Sequence, residues 1–290
     1  MADVGFIGLG EMGTPMAEHL TDGNDVRAFD IDPTAVDRLE DAGAMPASSA
    51  AAAVDGADVV FLSLPTPGTV EQVVDETADS FRPGAILVDL STSTPSTTER
   101  VAARVADRDV DVLGAPVSGG PSGAKAGTLS VMVGGDGSVY EACRPLFDAF
   151  AADVLHVGEE PGHGHAVKLL NNYLSFTGFL AASEAVALGR VAGLDAESLL
   201  EAVNASSGRN SATADKFPEY VLSESYDMGF SLELMEKDVR LFQEFADAHD
   251  APVLLGSVIR NLVGYARSQQ GGEADMTRVY EFIDDQLVRD

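Results

Sequence analysis

The feature that most constrains the fold of this 290-residue chain is the alternation of short apolar runs with helix-like segments in its first half. Each run is four to six residues long and has the composition of a buried strand. The runs occupy residues 4–8, 26–30, 59–64, 86–90, 110–113 and 130–133. Strands that alternate with helices form βαβ units, and their right-handed crossovers predict an α/β fold with a doubly wound, mainly parallel sheet.

Capping residues mark two of the crossover helices. Asp32 precedes a helical pattern at 33–42, which Gly43 closes, and Thr94 precedes another at 95–106. The alanine-rich run 47–53 is expected to belong to a helix. These signals fix where the chain leaves the predicted sheet.

The second half has a different pattern. Residues 158–164 form a turn-rich segment, after which strand-like alternation gives way to helical spacing. One long helix is predicted from about 165 to 192, ending at Gly193, and further helices at 196–206, 232–248, 252–269 and 276–288. We therefore predict two domains, an α/β domain at 1–160 and an all-helical domain at 161–290, joined by the long helix.

Composition narrows the partners. Acidic residues outnumber basic ones by 47 to 18, a net charge of -29, which argues against binding to nucleic acid or to an anionic membrane. Such acidity suits a protein kept soluble in the salt-rich cytoplasm of a halophile. The chain opens without a secretory pattern and has no run of 18 apolar residues, so a cytoplasmic location is expected.

Rare residue types are informative here. Cys143 is the single cysteine and is expected to be a buried structural thiol. Only four lysines occur, at 125, 168, 216 and 237. Because arginine could carry most surface charge, each lysine becomes a candidate for a role that arginine cannot fill.

The strongest local motif is a glycine turn between the first strand and a helix. Gly8, Gly10 and Gly13 form G-x-G-x-x-G, together with Leu9, Glu11 and Met12. The first glycine allows a tight turn, the second lets the backbone approach a pyrophosphate, and the third allows close packing of helix on strand. The helix N-terminus then faces the phosphates. This motif, in this position, predicts a Rossmann domain that binds a dinucleotide.

The second strand ends in Asp30, 17 residues after Gly13, at about the spacing of an acid that bonds a ribose 2'-hydroxyl. A carboxylate there would repel a 2'-phosphate, and Ile31 supplies no cation. NAD is therefore predicted in preference to NADP. Arg27 would argue the other way only if its side chain reached the same pocket.

The motifs resemble those of the β-hydroxyacid dehydrogenases, the family of 3-hydroxyisobutyrate dehydrogenase, tartronate semialdehyde reductase and 6-phosphogluconate dehydrogenase. The similarity covers nearly the whole chain. It is carried by residues 8–17, Leu64-Pro65, 89–92, 115–120, 127–129, 132–135, 162–164 with Lys168 and Asn172, and Lys237-Asp238. The sequence departs from the family at His19, where asparagine is usual, and at Gly114, where aspartate is usual, which leaves the substrate preference open.

The resemblance implies a Rossmann domain followed by a helical domain through which subunits associate, as a homodimer or homotetramer. It also implies cofactor contacts at Leu64 and Pro65, Thr92 near the nicotinamide ribose, and Lys237 closing over cofactor and substrate. Thr92 and Pro65 also follow strands at the edge where open α/β sheets bind ligands. Pro65 could equally be a loop former, and Lys237 an ordinary surface lysine.

The candidate catalytic group is Lys168. With Asn171 and Asn172 it stands at positions i, i+3 and i+4 of the long helix, so the three side chains share one face. Alcohol oxidation needs an acceptor for the hydroxyl proton, and a lysine desolvated between domains can have its pKa lowered enough to serve. Asn172 can hold the hydroxyl or order Lys168. For Asn171, substrate binding and a structural role stay equally open.

Ser118, Gly119 and Gly120 can form a concavity of backbone N–H groups and a hydroxyl for the substrate carboxylate. Without the resemblance, a simple glycine turn would be the better interpretation. Arg209 could add a positive charge or lie exposed in a loop. His163 and His165 lack partners at ligand spacing, so no metal site is predicted.

The sequence thus predicts an NAD-dependent oxidoreductase for a small 3-hydroxy acid, with 3-hydroxyisobutyrate as first choice. Tartronate semialdehyde or a related aldehyde acid is the alternative. Enzymes for 6-phosphogluconate are longer and usually carry a histidine before the final asparagine, which disfavours that substrate. Imine reductases generally lack the lysine. A non-catalytic protein that binds NAD remains the rival outside enzymes.

Overall fold

The computed structural model describes residues 1–287, and the chain separates into two compact units, Met1–Lys168 and Leu169–Asp290. The first unit is built on one sheet with nine described strands. They are β1 (Asp3–Ile7), β2 (Asp25–Phe29), β3 (Met45–Pro46), β4 (Val59–Leu62), β5 (Ile86–Asp89), β6 (Asp111–Gly114), β7 (Val117–Ser118), β8 (Leu129–Gly134) and β9 (Ala151–Gly158).

The strand order is β3-β2-β1-β4-β5-β6-β8-β7, and β9 pairs with β8. Strands β1 to β6 run parallel to one another, whereas β8 is antiparallel to β6 and β7 and parallel to β9. The prediction of a doubly wound, mainly parallel sheet is confirmed. The order in which the chain adds strands reverses at β1, with β2 and β3 on one side of it and β4, β5 and β6 on the other. Such switch points are where α/β sheets bind ligands.

The helices of the first unit lie on both faces of the sheet. They are α1 (Gly13–Thr21), α2 (Pro33–Asp41), α3 (Ala50–Val54), α4 (Pro67–Thr77), α5 (Pro95–Val105), α6 (Gly120–Ala126) and α7 (Gly137–Phe147). Alternate strand residues supply two cores: Phe6 and Phe61 pack in one, and Ile7 and Val60 in the other. Cys143 is buried in the first of these, and burial raises its pKa to about 12. It is a structural thiol, as expected.

The second unit is helical. The long helix α8 (Gly162–Val191) begins in the first unit and continues into the second, which adds α9 (Ala196–Asn204), α10 (Leu232–Asp247), α11 (Leu254–Gln270) and α12 (Val279–Leu287). A 3-10 turn, Met276–Arg278, starts the final predicted helix, whose residue 288 lies outside the described residues. The predicted helices are confirmed to within a few residues.

One prediction along this stretch was wrong. Residues 162–164 are the first turn of α8 rather than a loop, because Gly164 lets the helix pack directly on the sheet backbone while His163 is exposed. A Cβ on Gly164 would collide with the carbonyl oxygens of Gly114 and Met132. A π-helix at Ala212–Val221 was not predicted from the sequence.

Pro218 lies inside this π-helix and cannot donate a backbone hydrogen bond. The carbonyl of Thr213 accepts the side-chain amide of Asn204 instead, at 2.9 Å. This contact, between residues nine apart, supports a widened helix that local periodicity does not predict.

The described residues contain no helix long and apolar enough to cross a membrane.

Candidate active site

The glycine turn connects β1 to α1 and leaves open space beside one of its three glycines. Gly8 has a φ of 98°, and a Cβ there would collide with the carbonyl of Ser63. A Cβ on Gly13 would collide with the carbonyl of Gly8, so these two glycines close the turn tightly. Gly10 is different, because a Cβ there would meet nothing within 4 Å. The open side of Gly10 fits a pyrophosphate that approaches the backbone closely.

The other members of the motif differ in exposure. Leu9 is buried in the core with its N–H group inside the turn, Met12 packs against the same core, and Glu11 is exposed. None of the three side chains supplies a charge of the right sign for a phosphate, so this turn would bind through its backbone.

Asp30 lies at the carboxyl end of β2, next to the glycine turn. Its Oδ2 accepts a hydrogen bond from the Leu9 N–H at 2.6 Å, and its Oδ1 accepts one from the Asp32 N–H at 2.8 Å. A carboxylate offers about four acceptor positions, so capacity remains for ribose hydroxyls. Arg27 donates to the carbonyl of Asp55, and Ile31 is 93 % exposed. Neither places a cation for a 2'-phosphate beside Asp30, and the arrangement fits NAD.

Leu64, Pro65 and Thr92 follow β4 and β5 at the same edge of the sheet as the glycine turn. The two loops are tied together, because the Leu64 N–H donates to the Ser91 hydroxyl at 2.9 Å. Leu64 and Thr92 are half-buried and Pro65 is exposed. The fold therefore brings the predicted cofactor residues of the first unit to one edge.

Ser118 ends the short antiparallel strand β7, and Gly119 and Gly120 turn the chain into α6. Their φ angles, 130° and 65°, lie in the region that favours glycine. A Cβ on Gly120 would meet nothing within 4 Å, so a ligand can approach the backbone there.

Sequence reasoning did not find a buried polar cluster under the first turn of α8. His165 is fully buried; its Nδ1 lies 2.8 Å from the Thr98 hydroxyl and its Nε2 lies 3.1 Å from the carbonyl oxygen of Ser91. Asp89 Oδ2 lies 3.5 Å from Nε2 and has no hydrogen-bond partner, while Oδ1 accepts from the Ser91 N–H. Burial raises the pKa of Asp89 and lowers the pKa of His165.

This cluster explains the glycine at position 114. A Cβ on Gly114 would lie 2.8 Å from Nδ1 of His165 and would collide with the carbonyl of Pro161. An aspartate cannot occupy that position while α8 packs as it does. Gly114 is therefore a consequence of helix packing. His19, the other departure, lies 3.1 Å from the carbonyl oxygen of Ala124 through its Nε2.

Lys168 and Asn172 are both buried, each 7 % exposed, one helical turn apart on α8. Asn172 Nδ2 donates to Asp238 Oδ2 at 2.6 Å, and Asn172 Oδ1 accepts from the Asn171 amide at 3.2 Å. Asp238 is 2 % exposed and lies on α10. It fixes the amide so that its second N–H and its remaining oxygen lone pair stay available. The sequence marks Asp238 only as part of the Lys237-Asp238 motif. Its burial beside Asn172 depends on the packing of α8 and α10 and could not be predicted from sequence.

The remaining predicted residues lie as follows. Lys237 is half-buried on α10, with its Nζ 3.4 Å from Asp238 Oδ1. Arg209 and Lys125 are exposed, and His163 is exposed on the first turn of α8. Within residues 1–287, no group of three or more His, Cys, Asp or Glu side chains could hold a metal ion.

Comparison with known proteins assigns the class. Residues 3–158 match the NAD-binding domain of 6-phosphogluconate dehydrogenase, and residues 162–283 match the NAD-binding domain of NADP-dependent 3-hydroxyisobutyrate dehydrogenase. Fold, motifs and these matches define an NAD-dependent dehydrogenase of hydroxy acids. The chain belongs to the β-hydroxyacid dehydrogenase family.

Similar proteins extend over the full chain. The NAD-dependent L-serine dehydrogenase of Pseudomonas aeruginosa is 38 % identical, covering 98 % of both chains. The 2-(hydroxymethyl)glutarate dehydrogenase of Eubacterium barkeri is 35 % identical, covering 95 % of this chain and 93 % of its own. The structure of Mycobacterium tuberculosis 3-hydroxyisobutyrate dehydrogenase with L-serine superposes with a TM-score of 0.93 at 32 % identity, covering 98 % and 99 %.

Proposed function

We propose that the protein oxidises a small 3-hydroxy acid to the matching semialdehyde with NAD, and that Lys168 accepts the hydroxyl proton. The first choice of substrate is 3-hydroxyisobutyrate, which gives methylmalonate semialdehyde. The observation that carries the proposal is the burial of Lys168 on the helix face that also presents Asn172, whose amide Asp238 holds in place.

The substrates in the names of the similar enzymes support the reaction class. L-Serine, 2-(hydroxymethyl)glutarate and 3-hydroxyisobutyrate all contain HO–CH2–CH(R)–COO⁻, where R is an ammonium, a carboxyethyl or a methyl group. Each is therefore a primary alcohol one carbon away from the carbon that bears the carboxylate. The proposed site needs to hold that common part, and R decides between the substrates.

Each residue has a chemical task in this proposal. Ser118, Gly119 and Gly120 bind the carboxylate through the serine hydroxyl and backbone N–H groups. Asn172 holds the reacting hydroxyl. Bound NAD supplies the two-electron acceptor. As the alcohol carbon gives up its hydrogen with the bonding electron pair, Lys168 takes the hydroxyl proton and the C=O bond forms.

The proposed cofactor residues of the first unit are those at the edge of the sheet. The glycine turn, Gly8–Gly13, would face the pyrophosphate, and Asp30 would bind the adenine ribose. Leu64, Pro65 and Thr92 would line the rest of the dinucleotide, and Lys237 would close over it from α10. Asn171 would help to orient Asn172, which its amide already contacts.

Steady-state kinetics with a hydroxy-acid panel test the proposal. Purified protein in high salt is assayed for NADH formation with 3-hydroxyisobutyrate, L-serine and glycerate, and for NADH consumption with tartronate semialdehyde. We expect turnover with at least one 3-hydroxy acid, with NAD preferred over NADP. Binding of NADH without any change in absorbance at the NADH band would leave a non-catalytic protein.

We further propose that the protein is a homo-oligomer assembled through its helical unit. Large apolar side chains on α11 are exposed: Leu254 by 86 %, Val258 by 60 % and Tyr265 by 56 %. Exposed apolar patches of this kind mark protein interfaces. Light scattering should give the mass of a dimer or tetramer, and Val258→Glu should reduce it; a monomeric wild type contradicts the proposal.

The cytoplasmic location and the halophilic setting stay predictions.

A further inference from the structure

The π-helix Ala212–Val221 places a lysine against α8. Lys216 is half-buried, and its Nζ donates to the Ser175 hydroxyl at 2.6 Å. The Ser211 hydroxyl lies 3.4 Å from the same nitrogen. Burial lowers the pKa of Lys216, and the neighbouring carboxylate of Asp215 partly opposes this. The amine is therefore held by two neutral hydroxyls rather than extended into solvent.

The contact lies on the functional face of α8. Lys168, Asn171, Asn172 and Ser175 stand at i, i+3, i+4 and i+7, which is one stripe of an α-helix. Ser175 lies three positions after Asn172, a rise of about 4.5 Å along the axis. A small molecule that touches Asn172 is therefore within reach of the group that Ser175 holds.

The charge of Lys216 is only partly balanced, because the carboxylate of Asp215 acts on it without forming an ion pair. Among the described residues, 1–287, no ion pair includes Lys216, although the chain has 47 acidic side chains. A partly desolvated ammonium gains most from an anion, and a serine hydroxyl compensates its charge only in part. The position suits an anionic group that comes from a ligand.

The backbone around Lys216 is also unusual. Segments of π-helix are rare and occur frequently at functional sites. Here the segment directs Phe217 and Val221 into the helical core while Lys216 reaches α8.

From this arrangement we infer that Lys216 determines substrate specificity by binding an anionic substituent on carbon 2 of the 3-hydroxy acid. The site would then accept hydroxy acids with a second carboxylate, besides those in which the substituent is a methyl group. This inference rests on the proposed function for the position of the substrate. It also predicts the direction of each effect on affinity. Lys216 should strengthen the binding of an anionic substituent, leave that of a neutral one unchanged, and weaken that of an ammonium group.

Three substrates and two variants test these directions. The substrates are 2-(hydroxymethyl)glutarate, 3-hydroxyisobutyrate and L-serine. The variants are Lys216→Met, which keeps most of the unbranched side chain but removes the charge, and Lys216→Arg, which keeps the charge. Lys216→Met should raise KM for the dicarboxylate about 30-fold, as expected for loss of a partly desolvated charge partner. KM for 3-hydroxyisobutyrate should change by less than about threefold and KM for L-serine should not rise, because neither substituent is an anion. Lys216→Arg should restore most of the dicarboxylate affinity.

A purely structural link between the π-helix and α8 would behave differently, since its loss would affect all three substrates alike. Equal losses on all substrates, or an unchanged preference, would overturn the inference. Should Lys216→Met fail to fold, judged by circular dichroism, Lys216→Gln carries the same comparison.

Binding without turnover separates this inference from the proposed function. Calorimetric titration of the enzyme–NADH complex with glutarate and with isobutyrate compares a dicarboxylate and a monocarboxylate that cannot react. Glutarate should bind wild type more tightly, and Lys216→Met should abolish the difference. Isobutyrate binding as tightly as glutarate to wild type would overturn the role of Lys216 even if the enzyme turns over. Conversely, a clear glutarate preference in a protein that oxidises none of the acids would contradict only the proposed function.

Discussion

The two units of the molecule position their candidate site residues in different ways. In the first unit, the glycine turn, Asp30 and Thr92 all occupy chain segments that follow strands, so the sheet itself places them. In the second unit, side-chain contacts between distant helices do the same work. Asn172 is fixed by Asp238, 66 residues away, and Lys216 bonds Ser175, 41 residues away.

The difference shows what backbone topology can and cannot specify. A parallel sheet gathers the carboxyl ends of its strands at one edge whatever side chains follow. Helices that pack together have no such rule, because crossing angle and side-chain length decide which residues meet. Substitution of Asp30, at the sheet edge, should therefore act on the cofactor, whereas substitutions at Lys168 on α8 or Asp238 on α10 should act on the substrate and the proton.

Removing the amine from α8 should produce the largest effect. Lys168→Ala is expected to lower kcat about 10³-fold, because the hydroxyl proton loses its positioned acceptor. Lys125→Ala removes an exposed lysine from α6 and is the matched control, with kcat unchanged. Steady-state assays on both variants decide the point. Near-normal kcat in Lys168→Ala would remove the proton-transfer role and, with it, the functional contrast between α8 and the sheet edge.

The acid at the end of β2 should give the next largest effect, on the cofactor alone. Asp30→Ala is expected to raise KM for NAD about 30-fold through the loss of charged hydrogen bonds to the ribose. KM for the hydroxy acid should stay near the wild-type value. The ratio of NAD to NADP efficiency should also fall, since the repulsion of the 2'-phosphate is gone. A change in substrate KM alone would mean that Asp30 does not serve the cofactor.

The difference between placement by the sheet and placement by contacts between helices also explains which of these features the sequence could predict. The G-x-G-x-x-G turn, the capped helices and the strand edge depend on spacing within about 30 residues, so the patterns at Gly8, Asp32 and Thr94 were sufficient. The roles of Asp238, His165 and Gly114 depend on contacts across 66, 74 and 51 residues. Periodicity carries no information about such contacts. The π-helix was missed for the same reason, because its carbonyl at Thr213 is satisfied by a side chain from α9.

A smaller effect is expected from the acid that holds Asn172. Asp238→Asn keeps the shape but replaces a charged acceptor by an amide, and kcat should fall about tenfold as Asn172 loses its fixed orientation. KM for NAD should be unaffected. Asp247→Asn, in the last turn of the same helix, provides the control. If kcat and the NAD affinity fell together, Asp238 would serve the fold as a whole rather than the site.

The smallest effect concerns stability against pH and belongs to the first unit. Burial lowers the pKa of His165 below its ordinary value of 6.5, so the unfolded chain takes up a proton first as the pH falls. The folded state should therefore lose stability between pH 7.5 and 5.5, by on the order of 1 kcal/mol from this residue. Denaturant unfolding of wild type and His165→Gln at both pH values isolates the contribution. A steeper loss in the variant than in wild type would reverse the sign.

Chemical rescue of Lys168→Ala tests the proposed proton transfer most directly. If the amine on α8 is the proton acceptor, small free amines added to the variant should restore part of kcat, and the restored rate should rise with the basicity of the amine at equal size. The same amines should leave wild type unchanged. A folded variant that binds NADH but responds to none of them, at any pH between 7 and 10, would show that proton transfer does not depend on this side chain.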